Sequence, residues 1–353
     1  MQIIKPGEAT WDVPLADETI LDPLPQVPNM SENFCYLGHD AVSRVAFLVH
    51  IGRWIKDPEI FREMFIVWLP DGTVMWAHAF GRGDCTLGPS VACSRLICEE
   101  PGKRIRIRYS GPMQPIPPDQ IVNPTGFPNS LDKVDIDLVF EGASPTYYYP
   151  QTENTTWSKW HTEQLGKVRG TVRHIDRKFD FNGVGYRDHS RGPRYLKDFR
   201  GHSWIQGHFP GGDSFNLYQM WQIVDGVEKQ ALSEAHIHQN GELIPARVVS
   251  SPRLTSTAGI VGDYELVLES KLGTMNIIGK PRGLAFFSYG TLMSHFFPSV
   301  PIGNTEFFMT TVEQPSVFSC AGRDAVGHTE RSFYRGDADK IFDPAAVESF
   351  YAR

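Results

Sequence analysis

What most constrains this chain is a succession of short β-prone runs broken by turn dipeptides, with helical periodicity almost nowhere. The run FIVWLPDGTVMWAHAF (65–80) breaks at Asp71-Gly72. The long stretch SFNLYQMWQIVDGVEKQALSEAHIHQNGELIPARVVS (214–250) breaks at Asp225-Gly226 and Asn240-Gly241. Asp-Gly and Asn-Gly readily take the positive φ of a tight hairpin turn, so each marks two antiparallel strands. Further strands are expected in 41–54, 96–111, 133–142 and 203–209, and in YELVLES, LAFFSYGTL, EFFMTTVE and HTERSFYR. Within 96–111, Arg104, Arg106 and Arg108 alternate with Ile105, Ile107 and Tyr109, which is the period of a half-buried strand. A proline-rich connection is expected over 111–130. Only DPAAVESFYAR (343–353) reads as a helix, opened by a capping aspartate and a proline at the first position.

Many short strands at regular spacing predict an all-β chain of two tandem barrel or sandwich modules, 1–150 and 151–353, with a short C-terminal helix. A length of 353 residues allows each module its own core. Hydrophobic residues at 41% and charged residues at 21% are ordinary for a soluble globular protein. The net charge of −7 argues against nucleic acid or an anionic membrane as partner. No apolar run approaches the roughly 20 residues of a spanning helix, so no stable membrane insertion is expected. The opening MQIIKPGEATWDVPLADETI lacks the basic-then-apolar order of a secretory signal, and a cytoplasmic protein is expected. Five cysteines, an odd set without a Cys-x-x-Cys pair, read as reduced buried thiols.

The densest ionisable stretch is GVGYRDHSRGPR (183–194). In an extended strand, residues two apart face the same way, so Tyr186 and Asp188 share one side while Arg187 and His189 share the other. The stretch is no nucleotide loop, because it lacks the third glycine in register and a βαβ setting. It resembles the carotenoid 1,2-hydratase (hydroxyneurosporene synthase) family and its lipocalin-like bacterial relatives, with Gly183, Gly185, Tyr186, Asp188, His189 and Gly192 matching. WHTEQLGKVRGTV (160–172) and GHTERSF (327–333) are also similar to that family. The resemblance implies two lipocalin-like modules around an apolar cavity, and an enzyme that protonates an isolated alkene and adds water to the cation. It implies a Tyr-x-Asp pair, here Tyr186 and Asp188, with an upstream histidine and tryptophan. Trp160-His161 stand adjacent here, where the family has the two residues two apart, and this leaves room for another reaction.

Protonating an unactivated double bond needs an acid kept protonated in a dry cavity, which burial of Asp188 would favour. Arg187, Arg191 and Arg194 oppose this unless they face away. The alternative is an Asp188–arginine ion pair tying the modules together. Trp157, Trp160, Trp204 and Trp221 could stabilise a cation through their ring faces. In SEAHIHQNG (233–241), Glu234, His236 and His238 share one strand face, which suits a base, a water-positioning group or two metal ligands. His189 and His238 are expected among the substrate-lining groups. In HSWIQGHF (202–209), His202, Trp204, Gln206 and His208 share a face and read as core with satisfied polar tips. Glu330 would complete an acid/base pair with Asp188, or else pair with an arginine.

The expected function is a cofactor-independent hydratase, dehydratase, cyclase or isomerase acting on a hydrophobic terpenoid, steroid or polyketide-like molecule. The catalytic candidates are Asp188, Tyr186, His161, His236 and Glu330, and no metal is expected. The alternatives are a non-catalytic lipocalin-like binding protein and a metal-dependent enzyme using His236 and His238.

Overall fold

The computed structural model describes residues 5–54, 57–82, 89–116, 130–150, 158–194, 198–254, 263–282, 285–289 and 309–334. They form two compact units, Met1–Ile116 with Pro128–Tyr195, and Pro117–Phe127 with Leu196–Arg353.

The first unit holds β1 (Ala9–Thr10), β2 (Met30–His39), β3 (Ala46–Trp54), β4 (Asp57–Trp68), β5 (Val74–Arg82) and β6 (Ser90–Val91). It continues with β7 (Ser94–Glu100), β8 (Arg104–Ile116), β9 (Asp132–Gly142), β10 (Thr146–Tyr148), β11 (Trp160–His174) and β12 (Arg177–Pro193). Eight of these strands close a barrel in the order β11-β12-β2-β3-β4-β5-β8-β9, and β9 returns to β11. Inward residues make one core: Val134, Ile136, Leu138 and Phe140 from β9 meet Ile105, Ile107 and Tyr109 from β8. The arginines between them face out, and Arg106 holds Asp137 through two hydrogen bonds of 2.8 and 2.7 Å.

Glycine forms a cross-strand row on the inner wall: Gly142, Gly166, Gly185 and Gly38 lie side by side on β9, β11, β12 and β2. A Cβ at Gly166 would stand 2.3 Å from the Phe140 ring, and one at Gly38 would stand 2.5 Å from the Phe47 ring. The row is the seat of those two phenylalanines.

The expected boundary at 150 put the Tyr-x-Asp segment in the second module. Strand β12 instead pairs along its length with β11 and β2, so the segment belongs to the first unit, which runs to Tyr195.

The second unit holds β13 (Phe199–His208), β14 (Ser214–Val224), β15 (Val227–Gln239), β16 (Glu242–Ser250) and β17 (Tyr264–Ser270). Then come β18 (Gly273–Pro281), β19 (Ala285–Tyr289), β20 (Met309–Cys320) and β21 (Arg323–Tyr334). They form a nine-stranded sheet in the order β18-β17-β16-β15-β14-β13-β21-β20-β19. Among the described residues, β18 also pairs with β20 over the short stretch Ile278–Pro281 with Ser316–Ser319, whereas β9 joins both of its barrel neighbours by long ladders. The hairpin turns are as the dipeptides require: φ is 54° and 76° at Asp225-Gly226, and 53° and 79° at Asn240-Gly241.

One part of the expected fold is corrected. The units are not a pair of like modules, since one is a full barrel and the other a sheet of different build. The expected C-terminal helix, 343–353, lies outside the described residues, among which the only helical element is a three-residue 3-10 turn, Leu15–Asp17. Among the described residues, Cys35, Cys93, Cys98 and Cys320 form no disulfide. No helix there is long and apolar enough to cross a membrane.

Inside the barrel, polar side chains of β12 anchor the segment around the 3-10 turn. Arg187 donates to both Glu18 oxygens at 2.8 and 2.6 Å, and to Gln164 Oε1 at 2.9 Å. Glu32 on β2 accepts from Arg191 Nε at 2.7 Å, Arg53 Nε at 3.1 Å and the Leu21 amide, and lies 3.1 Å from His189 Nε2. Arg191 also donates to the Ala16 and Thr19 carbonyls at 2.7 and 2.6 Å. Burial pushes the Glu32 carboxyl up, but His189, Arg191 and the Leu21 amide outweigh it and leave it at about 2.

A depressed carboxyl stabilises the fold above its ordinary value near 4.5, and that contribution is lost as the pH falls toward about 2. Glu32→Gln is expected to cost about 3–5 kcal/mol at neutral pH, because it strands two buried guanidiniums. It should also flatten the loss of stability across that acid window. Denaturant midpoints at pH 7 and pH 3 measure both effects, and an unchanged acid slope would refute the linkage.

Candidate active site

Strand alternation on β12 sorts its ionisable residues as the sequence predicts. Arg187, His189 and Arg191 turn into the barrel, while Tyr186 and Asp188 turn out, beside Leu37 and Cys35 of β2. The register with β11 places Asp188 directly opposite Glu163, and Tyr186 opposite Leu165.

Three ionisable groups meet on this outer face. His161 Nε2 lies 3.2 Å from Asp188 Oδ2 and 3.6 Å from Glu163 Oε1. Glu163 is wholly buried, whereas the Asp188 side chain keeps 20% of its surface exposed. Tyr149 donates to Glu163 Oε2 at 2.8 Å, and its ring stacks on His161 with centroids 4.7 Å apart. Tyr186 is hydrogen-bonded to Glu163 as well. Burial first, and then the Glu163 charge, push both phenols well above their ordinary value, so each keeps its proton and donates it.

The assembly therefore runs from two tyrosines through Glu163 and His161 to Asp188, the one carboxylate of the set that reaches the surface. Beside it lies an apolar cross-strand row: Tyr186, Leu37, Leu48, Ile66 and Trp76, all buried. Carboxylates flanking one imidazole exchange protons as a coupled set, and an adjoining apolar wall suits a hydrophobic reactant.

Several expected partners lie elsewhere. Tyr186 serves Glu163 rather than Asp188. His189 faces inward, stacked on Phe34 at 3.7 Å and bonded to the Asp17 carbonyl and Glu32. Trp160 is also on the inner side, with the Arg191 guanidinium 4.6 Å above its ring. Trp157 lies outside the described residues. The expected alternative, an Asp188–arginine ion pair, is not what the barrel contains: Arg187 and Arg191 pair with Glu18 and Glu32, and Arg194 donates to Ser190 Oγ at 2.8 Å.

Glu163 and Tyr149 were not legible as site residues in the sequence. The available signal was the i, i+2 spacing of His161 and Glu163 in a strand. Only the register with β12 shows that Asp188 stands opposite.

The model of a domain of unknown function, DUF7064, matches residues 14–250, which is more than half of the chain. The chain belongs to the DUF7064 family. No curated protein sequence matches it. Among solved structures, this DUF7064 protein is similar to an AttH-assigned protein of Nitrosomonas europaea, with TM-score 0.53 at 13% identity, over 90% of this chain and 99% of that one. It is also similar to CghA, with TM-score 0.52 at 11% identity, over 87% and 88% of the two chains. CghA solved with Sch210972 gives 0.53 at 10% identity, over 87% and 89%. At such identities the likeness shows a shared two-sheet β fold.

The second unit of the DUF7064 chain carries Trp204, Glu330, His236 and His238 on one face of its sheet and Trp221 on the other. Glu330 on β21 stands beside Trp204 on β13, and its carboxylate lies 2.5 Å from His202 Nε2. The other nitrogen of His202 meets Ser332 Oγ at 2.6 Å. Thus Glu330 has His202 as its partner and Asp188 has His161, in separate units. Burial holds His236 at about 4, while His238 is held well below its ordinary value by burial and then by His236 and His208. Both are therefore neutral imidazoles. Among the described residues no group of three or more His, Cys, Asp or Glu is placed to hold a metal ion. Trp221 packs under the Arg253 guanidinium at 5.2 Å.

The two carboxylate environments on either side of β12, Glu18 with Arg187 and Asp188 with His161, predict opposite mutational outcomes. Arg187→Met leaves Glu18 buried without its cation and is expected to cost about 3–5 kcal/mol. Asp188→Asn keeps the shape beside His161 and should cost no more than about 1 kcal/mol. Chemical denaturation of both variants checks the contrast, and an equal loss would mean that Asp188 holds the fold together.

Proposed function

We propose that this DUF7064 protein is a cofactor-independent acid/base enzyme that hydrates, dehydrates or cyclises a hydrophobic small molecule of terpenoid, steroid or polyketide type. The observation that carries the reading is the Asp188–His161–Glu163 cluster set against the apolar row from Tyr186 to Trp76. Asp188, exposed at the end of the set, is the group that gives a proton to the substrate or takes one from it. His161 replenishes or drains that proton, and its ring is held by stacking on Tyr149. Glu163, fixed by two phenols, keeps the imidazole between the carboxylates.

The resemblance of Tyr186 and Asp188 to the Tyr-x-Asp pair of the carotenoid 1,2-hydratases supports proton transfer to an alkene. The likeness to CghA, solved with Sch210972, supports a small-molecule ligand in this fold. Glu330 and His202 form a further carboxylate–imidazole pair, for which we propose an acid/base role within the second unit.

The ligand can be obtained by solvent extraction of freshly purified protein and identified by mass spectrometry. Returned to the protein in deuterated buffer, it should gain deuterium on carbon, because the acid step is reversible. Asp188→Asn should slow this about 10²–10⁴-fold with ligand affinity little changed, since the lost interaction belongs to the transition state. A ligand that stays unlabelled and unchanged on the native chain would make the protein a binder. Native rates in Asp188→Asn would remove Asp188 from the acid role.

A further inference from the structure

Glu63 is a buried carboxyl that the candidate active site does not use. It lies on β4 between Phe61 and Phe65, both in the interior core of the barrel, and is 1% exposed. Glu18 and Glu32 each hold a guanidinium, whereas Glu63 forms no ion pair among the described residues. Its partners are peptide amides. Ser94 N donates to Oε2 at 2.8 Å, and the Cys93 amide is a second donor.

Ser94 and Cys93 belong to the hairpin β6–β7, which fills a gap in the barrel wall. Strand β5 pairs with β8 only over Val74–Trp76, and from Tyr109 to Arg104 that edge of β8 is taken by β7. The hairpin turns in two residues, Ala92-Cys93, with Ala92 at φ 42°. It places Val91 and Leu96 in the interior core. Its tip rests on β8: Ser110 N donates to the Cys93 carbonyl at 3.2 Å, and a Cβ at Gly111 would stand 2.4 Å from Cys93 Sγ. Strand β6 has only two paired residues, so the bonds from Glu63 and Ser110 do much to fix that tip.

The surroundings of Glu63 give a negative charge little support. From β3, Ile51 stands opposite, and the interior cation Arg53 is engaged by Glu32. From β5, Ala79 stands opposite. Arg95, the cation of the hairpin, is exposed, and its Nη1 donates to the Ala92 and Ser94 carbonyls. Burial first, and then neighbouring acidic groups, hold Tyr109 of β8 and the Cys93 thiol above their ordinary values, so both stay neutral. Burial pushes the Glu63 carboxyl up to about 7, against the pull of the Ser94 and Cys93 amides and of Arg95. A buried carboxylate without a cation is relieved by taking a proton or by reaching water. The side open to water is the hairpin, where Ala92 is exposed and Cys93 half-buried.

We propose that Glu63 is a proton-operated latch: its neutral form keeps the hairpin β6–β7 seated, and its ionisation lifts the hairpin and lets water into this part of the barrel. The device is independent of the acid/base reading of Asp188. A carboxyl raised in the closed form holds its proton more tightly there than when hydrated. The closed hairpin is therefore most stable below the ordinary value of 4.5, and it loses stability as the pH rises from there to about 7.

Hydrogen exchange of the full chain, read by mass spectrometry on the peptide 89–98 and corrected for intrinsic exchange chemistry, tests this. The opening constant of the hairpin is expected to rise about 30–100-fold between about pH 5 and pH 8, as linkage to a carboxyl raised to about 7 requires. Glu63→Gln keeps an acceptor for the Ser94 amide but cannot ionise, so its profile should be flat. A flat native profile would overturn the latch, and so would an equal rise in Glu63→Gln. The same rise in the peptide 132–142 of β9 would mean loosening of the whole barrel and would refute a local device. Should Glu63→Gln fail to fold, Glu63→Met, equally unable to ionise, supplies the comparison, and where neither folds the contrast between the two native peptides decides.

Discussion

A guanidinium buried inside a β-barrel must have an anion brought to it, and here the anion comes from far upstream. Glu18 reaches Arg187 from the segment around the 3-10 turn, and Glu32 gathers Arg53, Arg191 and His189 next to it. Removing either carboxylate leaves charge in a medium that cannot solvate it. The network therefore specifies which face of β12 is inside. A slip of one residue would carry the arginines out and bring Tyr186 and Asp188 in, exchanging every partner at once. The chemistry on the outer face is positioned by electrostatics on the inner one.

How far this was legible in the sequence follows from the range of each signal. Turn dipeptides and the period of two act locally, so the hairpins at Asp225-Gly226 and Asn240-Gly241 and the opposite facing of Asp188 and Arg187 were readable. Strand β2 was harder, because Ser31, Glu32 and Asn33 break its apolar pattern and their partners lie on β12 and beyond. Which carboxylate stands opposite Asp188 is a matter of register between strands whose facing residues are 25 positions apart at Glu163 and Asp188. Trp160 had the residue type expected of a cation-stabilising wall, yet one step along the strand from His161 sent it to the inner side, under Arg191. The boundary between units failed for a related reason: β11 and β12 are completed by strands from the N-terminal part of the chain, a pairing that no local composition shift announces.

The second unit repeats the division of labour with other residues. One face of its sheet is the apolar cluster of Ile205, Phe215, Leu217, Leu266 and Phe318. The opposite face concentrates His202, His208, His236, His238 and His328, all buried. Burial keeps His208 and His328 at about 3, so these imidazoles are uncharged. Neutral imidazoles offer both a donor and an acceptor, which suits recognition of carbonyl and hydroxyl groups.

The glycine row on the inner wall changes what a shared motif means. Of the residues that make GVGYRDHSRG distinctive, Gly185 leaves room for the Leu37 carbonyl and the Val168 side chain, and Arg187, His189 and Arg191 bind the interior network. Only Tyr186 and Asp188 belong to the candidate site. A motif of this kind carries most of its information about scaffold and little about reaction. Two proteins can match at nearly every position of it and share a barrel while catalysing different steps. Sorting such chains by activity calls for comparing the alternate positions of β11 and β12 that face outward, read together with the outward residues of β2, β3 and β4, rather than the contiguous string.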